Sequence, residues 1–416
     1  MMLFISECKK ILRSLTFIIY SILVVLMFWT QYWDALDVPI NETTCMSFEE
    51  TKVSGEPERI MPAALDSLTG CYLSNSYICY PYGFFKAVHL NSAKSKKIQK
   101  YISELSGLNG DEIEALKEGT DKYYTSYGTT DYEEYNIQFV PLKEDVTYER
   151  FVEIMGDVND ILGGGSDYKP EALAYNFSQV EMTEEEIKEQ YNDFMEKDHI
   201  SVAYGRLFSD YLGIDLAFVP VFVAAALITA DRRGKMKELV YSRKVSSFKL
   251  VFTRFAALFT TIMIPVFLCA ALSTAKIMYM YSGSDPSFTG LFAVSGAWLI
   301  PNIAMTTALG MLISEIFSAG MAIFVQFVIW FSGLMMSSAA LYGYIGKFTF
   351  ICRHNRLMYR SDFMANYDNF VFNRIFYTIL SLVMVLLTVL VYEMKRGGKF
   401  NGIVLFGKGG LFRRKA

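Results

Sequence analysis

The sequence predicts an all-α membrane protein with six transmembrane helices and a large, mainly helical extracytoplasmic domain between the first and second spans. Two features of the 416-residue chain predict this class. Its residues are 52% hydrophobic and only 20% charged, with a mean hydropathy of +0.26, which is too apolar for an ordinary soluble protein. It also contains six long, almost uncharged runs, and about 20 apolar residues cross a bilayer as a helix because lipid cannot hydrogen-bond to the backbone.

The six runs define the limits of the predicted spans. They comprise residues 14–33, 211–230, 255–275, 286–314, 316–346 and 375–392. Only Glu315 separates the fourth run from the fifth, which predicts a tight hairpin between two helices. The first run is longer than a signal-peptide core, and no small-residue cleavage site follows Trp33. An uncleaved anchor is therefore favoured over the alternative of a cleaved signal peptide.

Charge is distributed unevenly along the chain and predicts its orientation. Residues 34–210 contain 34 acidic and 15 basic residues, a net charge of −19, whereas the remainder carries +15. Basic residues cluster beside span ends in residues 1–13, 231–254 and 393–416. Such clusters stay on the cytoplasmic side, so we expect a multi-pass protein of a bacterial cytoplasmic membrane with both termini cytoplasmic and residues 34–210 outside. This uneven charge excludes a single globular domain and argues against a nucleic-acid partner.

These observations divide the chain into five predicted parts. They are a cytoplasmic amphipathic helix (1–13), the first span (14–33), an acidic extracytoplasmic domain (34–210), a five-span membrane domain (211–392) and a basic cytoplasmic tail (393–416). Within the membrane domain, residues 231–254 form a cytoplasmic segment and residues 347–373 an external loop. The amphipathic helix is expected to lie on the inner leaflet.

The acidic domain shows helical periodicity in four stretches, residues 98–105, 111–117, 148–162 and 184–194. Thr183 and Glu186 form a capping-box pattern at the start of the last stretch. The aromatic residues 72–85 are expected to form strands or a loop packed on the helices. Cys71 and Cys79 are a candidate disulfide because an oxidising exterior permits one and their loop is short, with unpaired thiols as the alternative.

Motifs for nucleotide, metal or nucleophilic chemistry are not found in the sequence. A phosphate-binding loop of the form G-x-x-x-x-G-K-[ST] is missing, and the three histidines are too scattered for a zinc motif. We therefore predict no catalytic residues, no metal site and no enzymatic activity for this chain. Polar residues within the spans are better candidates, and Asp215, Asn302 and Gln326 are predicted to line a substrate pathway or to bond neighbouring helices.

Four stretches of the chain resemble one family when taken in order. The connection 230–254 places an acidic residue and a basic stretch after the second span and a serine-containing turn before the third. Arg353-His-Asn-Arg356 and Asn373-Arg-Ile-Phe-Tyr377 precede the last span, and Tyr392-Glu-Met-Lys-Arg-Gly397 ends it. Together with the six-span order, these stretches resemble the permease subunits of type-2 ATP-binding-cassette (ABC) transporters, in particular bacterial exporters.

The resemblance implies a cytoplasmic coupling helix at Lys235–Ser242 that passes movement from separate ATPase subunits to the spans. The residues it assigns to this contact are Lys235, Met236, Lys237, Glu238, Leu239, Tyr241, Ser242 and Arg243. It also implies an external helical hairpin at Lys347 and residues 353–360. The implied partners are two copies of an ABC ATPase, which bind ATP and Mg, a second permease subunit, identical or different, and the lipid bilayer. This chain itself would bind no cofactor.

The function expected on this basis is that of the membrane subunit of an ATP-driven exporter. The −19 charge of the outer domain attracts cations, so an amphipathic or cationic substrate, with an antimicrobial peptide as the first choice, is expected. The alternative is a membrane-bound sensor or receptor whose acidic outer domain binds a ligand.

Overall fold

The computed structural model describes residues 2–42, 45, 51–81, 85–119, 121–127, 130–136, 140–233, 241–242, 244–284, 286–338 and 343–400. The chain divides into two compact units. One unit, here called the helical unit, comprises Met1–Cys45 and Lys188–Ala416, and the other, the inserted unit, comprises Met46–Ile187. The inserted unit is therefore shorter at both ends than the predicted domain 34–210, because residues 188–210 pack with the long helices.

Most of the described chain is helical, as predicted. In chain order the helices are α1 (Met2–Leu12), α2 (Leu15–Met27), α3 (Pro57–Ser74), α4 (Ser92–Ser106), α5 (Gly110–Ala115), α6 (Tyr148–Leu162), α7 (Leu173–Phe177), α8 (Glu184–Asn192), α9 (Ser201–Leu216), α10 (Pro220–Arg233), α11 (Ser247–Met280), α12 (Gly290–Ile316), α13 (Ala319–Ser338), α14 (Arg360–Ala365) and α15 (Tyr367–Arg396). The strands are β1 (Thr51–Val53), β2 (Tyr77–Cys79), β3 (Lys86–Val88), β4 (Asp121–Tyr127), β5 (Thr130–Asn136) and β6 (Gln179–Glu181).

Five helices of the described chain are long and apolar enough to cross a membrane. They are residues Leu15–Leu36, in which a π turn and a 3-10 turn extend α2, together with α11, α12, α13 and α15. The pair α9 and α10 adds a sixth if its two bent halves are counted as one span. Several such helices are typical of a multi-pass membrane protein. The hairpin predicted at Glu315 is present, since α12 ends at Ile316 and α13 begins at Ala319.

Helix α12 is the centre of the helical unit. It contacts α9, α10, α11, α13 and α15, and most of its 27 residues are buried. Close approach to its neighbours depends on small residues, as is common between membrane helices. A Cβ atom on Gly310 would lie 3.2 Å from the Cβ atom of Ala224 on α10, and one on Gly205 of α9 would lie 3.1 Å from the Cα atom of Leu291 on α12. The two glycines thus let α10 and α9 pack closely against α12.

The inserted unit combines helices α3 to α7 with three two-stranded antiparallel sheets, β1 with β6, β2 with β3, and β4 with β5. Its core includes Leu68 of α3, Ile102 of α4 and Ile154 of α6. Helix α6 occupies the predicted residues 148–162: the Thr147 side chain accepts a hydrogen bond from the Arg150 amide at its start, and Gly163 ends it in the left-handed conformation.

The capping box predicted at Thr183 is present at the start of α8. The Thr183 hydroxyl accepts from the Glu186 amide at 3.3 Å, and the Glu186 carboxylate accepts from the Thr183 amide at 3.1 Å. Of the two alternatives for Cys71 and Cys79, the structure has thiols and no disulfide. The Cys71 sulfur instead accepts a contact from the Tyr168 hydroxyl at 3.5 Å, and burial raises the pKa of Cys79 to about 11. The Cys79 thiol is therefore protonated and unreactive near neutral pH.

Three consecutive glycines, Gly163 to Gly165, all have positive φ, and they connect α6 to a tight contact with β2. The Tyr80 amide donates to the Gly165 carbonyl at 2.7 Å, and a Cβ atom on Gly165 would lie only 2.5 Å from the Tyr80 carbonyl carbon. At Gly164 a Cβ atom would have nothing within 4 Å. At Gly164 a side chain would be disfavoured by the backbone angle alone, whereas at Gly165 it would also collide with the backbone of Tyr80.

We predict that Gly165→Ala destabilises the inserted unit by at least about 2 kcal/mol more than Gly164→Ala does. Both substitutions place a side chain in the left-handed region, at a cost of about 1 to 2 kcal/mol. Only the first also collides with backbone. Proteolysis of the full-length protein in increasing urea measures the difference, and equal stability of the two variants would show that the contact at Tyr80 is not as close as described.

Candidate functional site

The second membrane segment is interrupted near its middle. Helices α9 and α10 meet at 42° between Leu216 and Pro220, and proline has no N–H to donate to the Leu216 carbonyl. The Thr306 hydroxyl lies 3.4 Å from this carbonyl and 3.2 Å from that of Ala217, which also accepts from Gln326 Nε2 at 2.6 Å. Irregular backbone at bilayer depth must be satisfied by protein groups because water is scarce there. Helices α12 and α13 supply those groups.

The structure brings together two of the three residues predicted to line a pathway. Asn302 and Thr306 lie one turn apart on α12, and Gln326 Nε2 is 3.5 Å from the Thr306 hydroxyl. Asn302 is fully buried, and Gln326 is 1% exposed. Asp215 does not join them: its carboxyl lies near the Tyr20 side chain, and its Oδ2 atom has no hydrogen-bond partner among the described residues. Hydrogen bonding between helices, one of the two predicted roles, thus accounts for Gln326.

Arg374, in the second turn of α15, is the most heavily bonded side chain of this region. Its Nε and one Nη2 donor bond to Asn373 Oδ1, its Nη1 group donates to the Trp298 carbonyl at 2.8 Å and to Asn302 Oδ1 at 2.9 Å, and Nη2 also donates to the Cys352 sulfur at 3.1 Å. These five bonds equal the number of N–H groups of a guanidinium. Within the described chain none of its acceptors is a carboxylate, so all five N–H groups are satisfied by neutral atoms.

Two buried ion pairs lie along α9. Arg206 forms a bidentate pair with Asp198, and both side chains are 2% exposed. One turn further on, Asp210 is fully buried and accepts from Arg353 Nε at 2.8 Å and from the His354 backbone amide at 2.6 Å. Breaking a buried pair by removing one partner is strongly destabilising, since the remaining charge stays in a medium of low polarity. The second pair fixes residues 353 and 354 to α9.

Residues 343–359 form an irregular segment that enters the helix bundle. Phe350 and Ile351 are buried and share a cluster with Met305 and Leu309 of α12 and Tyr377 of α15. This corrects the expectation of a helical hairpin at Lys347 and residues 353–360, because helix begins only at α14. The hairpin expectation assumed a surface position, whereas apolar contacts hold this segment within the bundle.

Three carbonyl groups of this irregular segment are bonded by side chains of α15. Asn373 Nδ2 donates to the carbonyls of Gly346 at 2.7 Å and Thr349 at 2.8 Å, and the Tyr377 hydroxyl donates to that of Phe348 at 2.8 Å. Such bonds replace those of a regular helix in a region from which water is excluded. The first three turns of α15 therefore determine the path of the segment.

Polarity along α15 is the reverse of that of a soluble helix. Its buried face repeats at three- and four-residue intervals and includes polar side chains, namely Asn373, Tyr377, Ser381, Thr388, Tyr392 and Lys395. Its exposed face is apolar and includes Ile375, Ile379, Leu382, Leu386 and Leu390. This polar stripe is visible in the sequence and would have indicated a span from Tyr367 to Arg396, longer than the predicted 375–392.

At its other end, α15 is bonded to the connection between the second and third segments. Arg396 Nη1 donates to the Val245 carbonyl at 2.6 Å, and the Ser247 hydroxyl at the start of α11 donates to the Glu393 carboxylate. These contacts attach the end of the connection to the last turn of α15.

A buried ion pair attaches the same turn of α15 to the α12–α13 hairpin. Lys395 Nζ lies 3.1 Å from the Glu315 carboxylate and also donates to the Glu315 carbonyl, and the two side chains are 4% and 7% exposed. Glu315 was predicted to mark the hairpin, and its charge partner was not predicted. A lone buried carboxylate in a membrane segment requires such a partner.

Most of the predicted coupling residues lie outside the described residues. They are Lys235, Met236, Lys237, Glu238, Leu239 and Arg243. Tyr241 and Ser242 are described, and the Tyr241 ring packs edge-on against Tyr392 of α15 with ring centres 5.4 Å apart. The described end of the coupling segment therefore contacts the same turns of α15 as the connection that follows it.

Over the described part of the chain, no three His, Cys, Asp or Glu side chains are grouped so as to hold a metal ion. The polar groups instead bond helices to one another and to the irregular segment. Comparison with protein-family models, with curated proteins and with solved structures finds no match for this chain.

We predict that Arg374→Met loosens the irregular segment, because it leaves the acceptors on α12 and α15 without donors. Cys352, which is 1% exposed, then reacts with a maleimide at least about tenfold faster in a variant with no other cysteine. The Arg374→Lys side chain has three donors, so its labelling rate should lie between those of Arg374→Met and the unmodified side chain. Lys347→Met, at an exposed position of the same segment, serves as control. Equal labelling rates for Arg374→Met and the control would contradict the role of Arg374.

We predict that Glu315→Gln and Lys395→Met each lower the stability of the detergent-solubilised protein by about 3 kcal/mol or more. The combined variant Glu315→Leu, Lys395→Met recovers most of this loss because no unpaired charge remains. The stability of the two single variants and of the combined variant is compared through their unfolding midpoints. The exposed pair Glu56 and Arg59, 2.9 Å apart, is the control, and its removal is expected to cost less than about 1 kcal/mol. Additive losses in the combined variant would show that the buried pair is not coupled.

Proposed function

We propose that this chain is the membrane-spanning permease subunit of an ATP-driven exporter of the type-2 ABC class. The observation that carries the proposal is the pair of attachments made by α15. One end is bonded to the connection that follows the coupling segment, and the other end holds the irregular segment and α12.

The spacing of these attachments would allow α15 to transmit a displacement from one side of a membrane to the other. Arg374 and Lys395 are 21 residues apart on one helix, which is about 32 Å along its axis. This is close to the thickness of the hydrocarbon core, about 30 Å. A displacement applied to the connection at Val245 and Ser247 would reach both Asn302 and the irregular segment through a single rigid element.

The partners follow from this role. Two ABC ATPase subunits would bind ATP and Mg and press on residues 235–243, and a second permease subunit, identical or different, would complete the channel. In the proposed arrangement the protein lies in a bacterial cytoplasmic membrane with six spans, both termini cytoplasmic and the segment between Leu36 and Ser201 outside. The sixth span is then the bent pair α9 and α10.

Charge supports a choice of substrate class. The inserted unit, Met46–Ile187, contains 26 acidic and 12 basic residues and so carries −14. A surface of this charge concentrates cations within the screening length of about 8 Å at physiological salt. We therefore propose an amphipathic or cationic substrate, with a cationic antimicrobial peptide as the first to test.

The test is the recovery of an ATPase with the tagged protein from native membranes. We expect an ABC ATPase to co-purify with the unmodified chain. The amount of ATPase recovered should be at least about tenfold lower with the double variant Glu238→Ala, Leu239→Ala, because these residues face the partner in the proposed contact. Glu184→Ala, Glu185→Ala in α8 is the control and should leave recovery unchanged. No ATPase in any sample would overturn the proposal and favour a membrane-bound receptor.

A further inference from the structure

Helix α1 presents a mixed basic and apolar face that no other described element covers. Its exposed residues recur at intervals of three and four, as Met2, Ile5, Ser6, Lys9, Leu12 and Arg13. A shallow cleft of about 490 Å³ follows this face and is lined by Met2, Ile5, Ser6, Lys9, Lys10 and Arg13. Every charged group in the lining is a cation.

The opposite face fixes α1 to the helical unit. Ile11 and Glu7 are each 2% exposed, and α1 packs along α11. The Glu7 carboxylate lies 2.8 Å from Lys10 Nζ and 3.9 Å from Arg254 Nε of α11. Lys10 belongs to α1 and moves with Glu7, whereas Arg254 belongs to α11 and is buried, so a rotation of α1 would separate the buried Glu7 from Arg254.

Lys9 and Arg13 remain on the exposed face without a carboxylate partner in the part of the chain that the structure describes. They are one helical turn apart, about 6 Å along the axis. Met2 and Ile5, which are 91% and 43% exposed, lie at the other end of the same cleft. A ligand that matches this face has an anionic head and an apolar chain.

We infer that this cleft binds the phosphate head group of an anionic phospholipid from the cytoplasmic leaflet. The inference rests on the orientation proposed above, in which α1 is cytoplasmic. The distance from Ile5 to Arg13 is eight residues, or about 12 Å, which places a phosphate at the basic end and the start of an acyl chain at the apolar end. An interfacial helix buries its apolar side about 5 to 10 Å into the boundary of the acyl chains.

The apolar surface next to α1 also suits a bound phospholipid. The lipid-exposed side of α2 begins immediately after Arg13 and carries Leu15, Ile18, Ile19 and Ile22, which are 48% to 70% exposed. An acyl chain whose head group is held at Arg13 can therefore extend along α2. The inner leaflet is negatively charged and attracts basic residues near the membrane surface, which favours a lipid over an acidic protein as the occupant.

The test uses the full-length protein in detergent and native mass spectrometry with dioctanoyl phosphatidylglycerol and dioctanoyl phosphatidylcholine as probes. We expect the first lipid to bind selectively and Lys9→Gln, Arg13→Gln to weaken it by at least about tenfold. Lys9→Arg keeps the charge and should keep the binding. The control Lys96→Gln, Lys100→Gln on α4 removes two exposed cations at the same spacing and should have no effect.

Equal binding of the two lipids, or equal losses in the test and control variants, would overturn the inference. Displacement of the phosphatidylglycerol by an equal concentration of inorganic phosphate would assign the cleft to a soluble anion and overturn it as well. Labelling of Cys8 from outside intact cells, in a variant with no other cysteine, would place α1 on the outer side of the membrane and contradict binding to the cytoplasmic leaflet. The lipid measurement needs no ATPase, so its failure and that of the proposed exporter role are distinguishable.

Discussion

The helical unit depends on one constraint: a polar group away from water must find its partner within the protein. This constraint accounts for features that are otherwise unrelated. The carbonyls of Leu216 and Ala217, at the break before Pro220, are met by Thr306 and Gln326, and three carbonyls of the irregular segment are met by Asn373 and Tyr377. At both of these departures from regular helix, side chains on neighbouring elements supply the missing hydrogen bonds. The stability of the bundle and the shape of its irregular parts therefore have the same origin.

The two ends of α15 show how the constraint can serve movement. Arg374 and Lys395 are both cations, and each is held by groups on α12. Sliding α15 past α12 would require these bonds to be exchanged in concert, which favours a small number of discrete positions over continuous motion.

The spans and the hairpin were predictable because each depends on a run of apolar residues or its interruption. The buried charges were harder to place. The uncharged runs stop beside Asp210 and Arg374, so the predicted spans exclude both residues, although each lies inside a long helix. Their bonds join residues more than 70 positions apart, and no local pattern specifies such a pairing. Strand β2 lies within residues 72–85, where strands or a loop were predicted, but β1 and β6 were not predicted, since they pair across about 130 residues.

The central position of α12 has a consequence for biogenesis. The helix contains Pro301, Asn302, Thr306 and Glu315, and most of its residues are buried against other helices. It leaves the ribosome before α15, which carries the donors for Asn302 and Glu315. Until translation reaches the last span, these acceptors lie in the bilayer without their final partners. The bundle is thus completed only when α15 has been made, and a chain cut before α15 lacks the partners of Asn302 and Glu315.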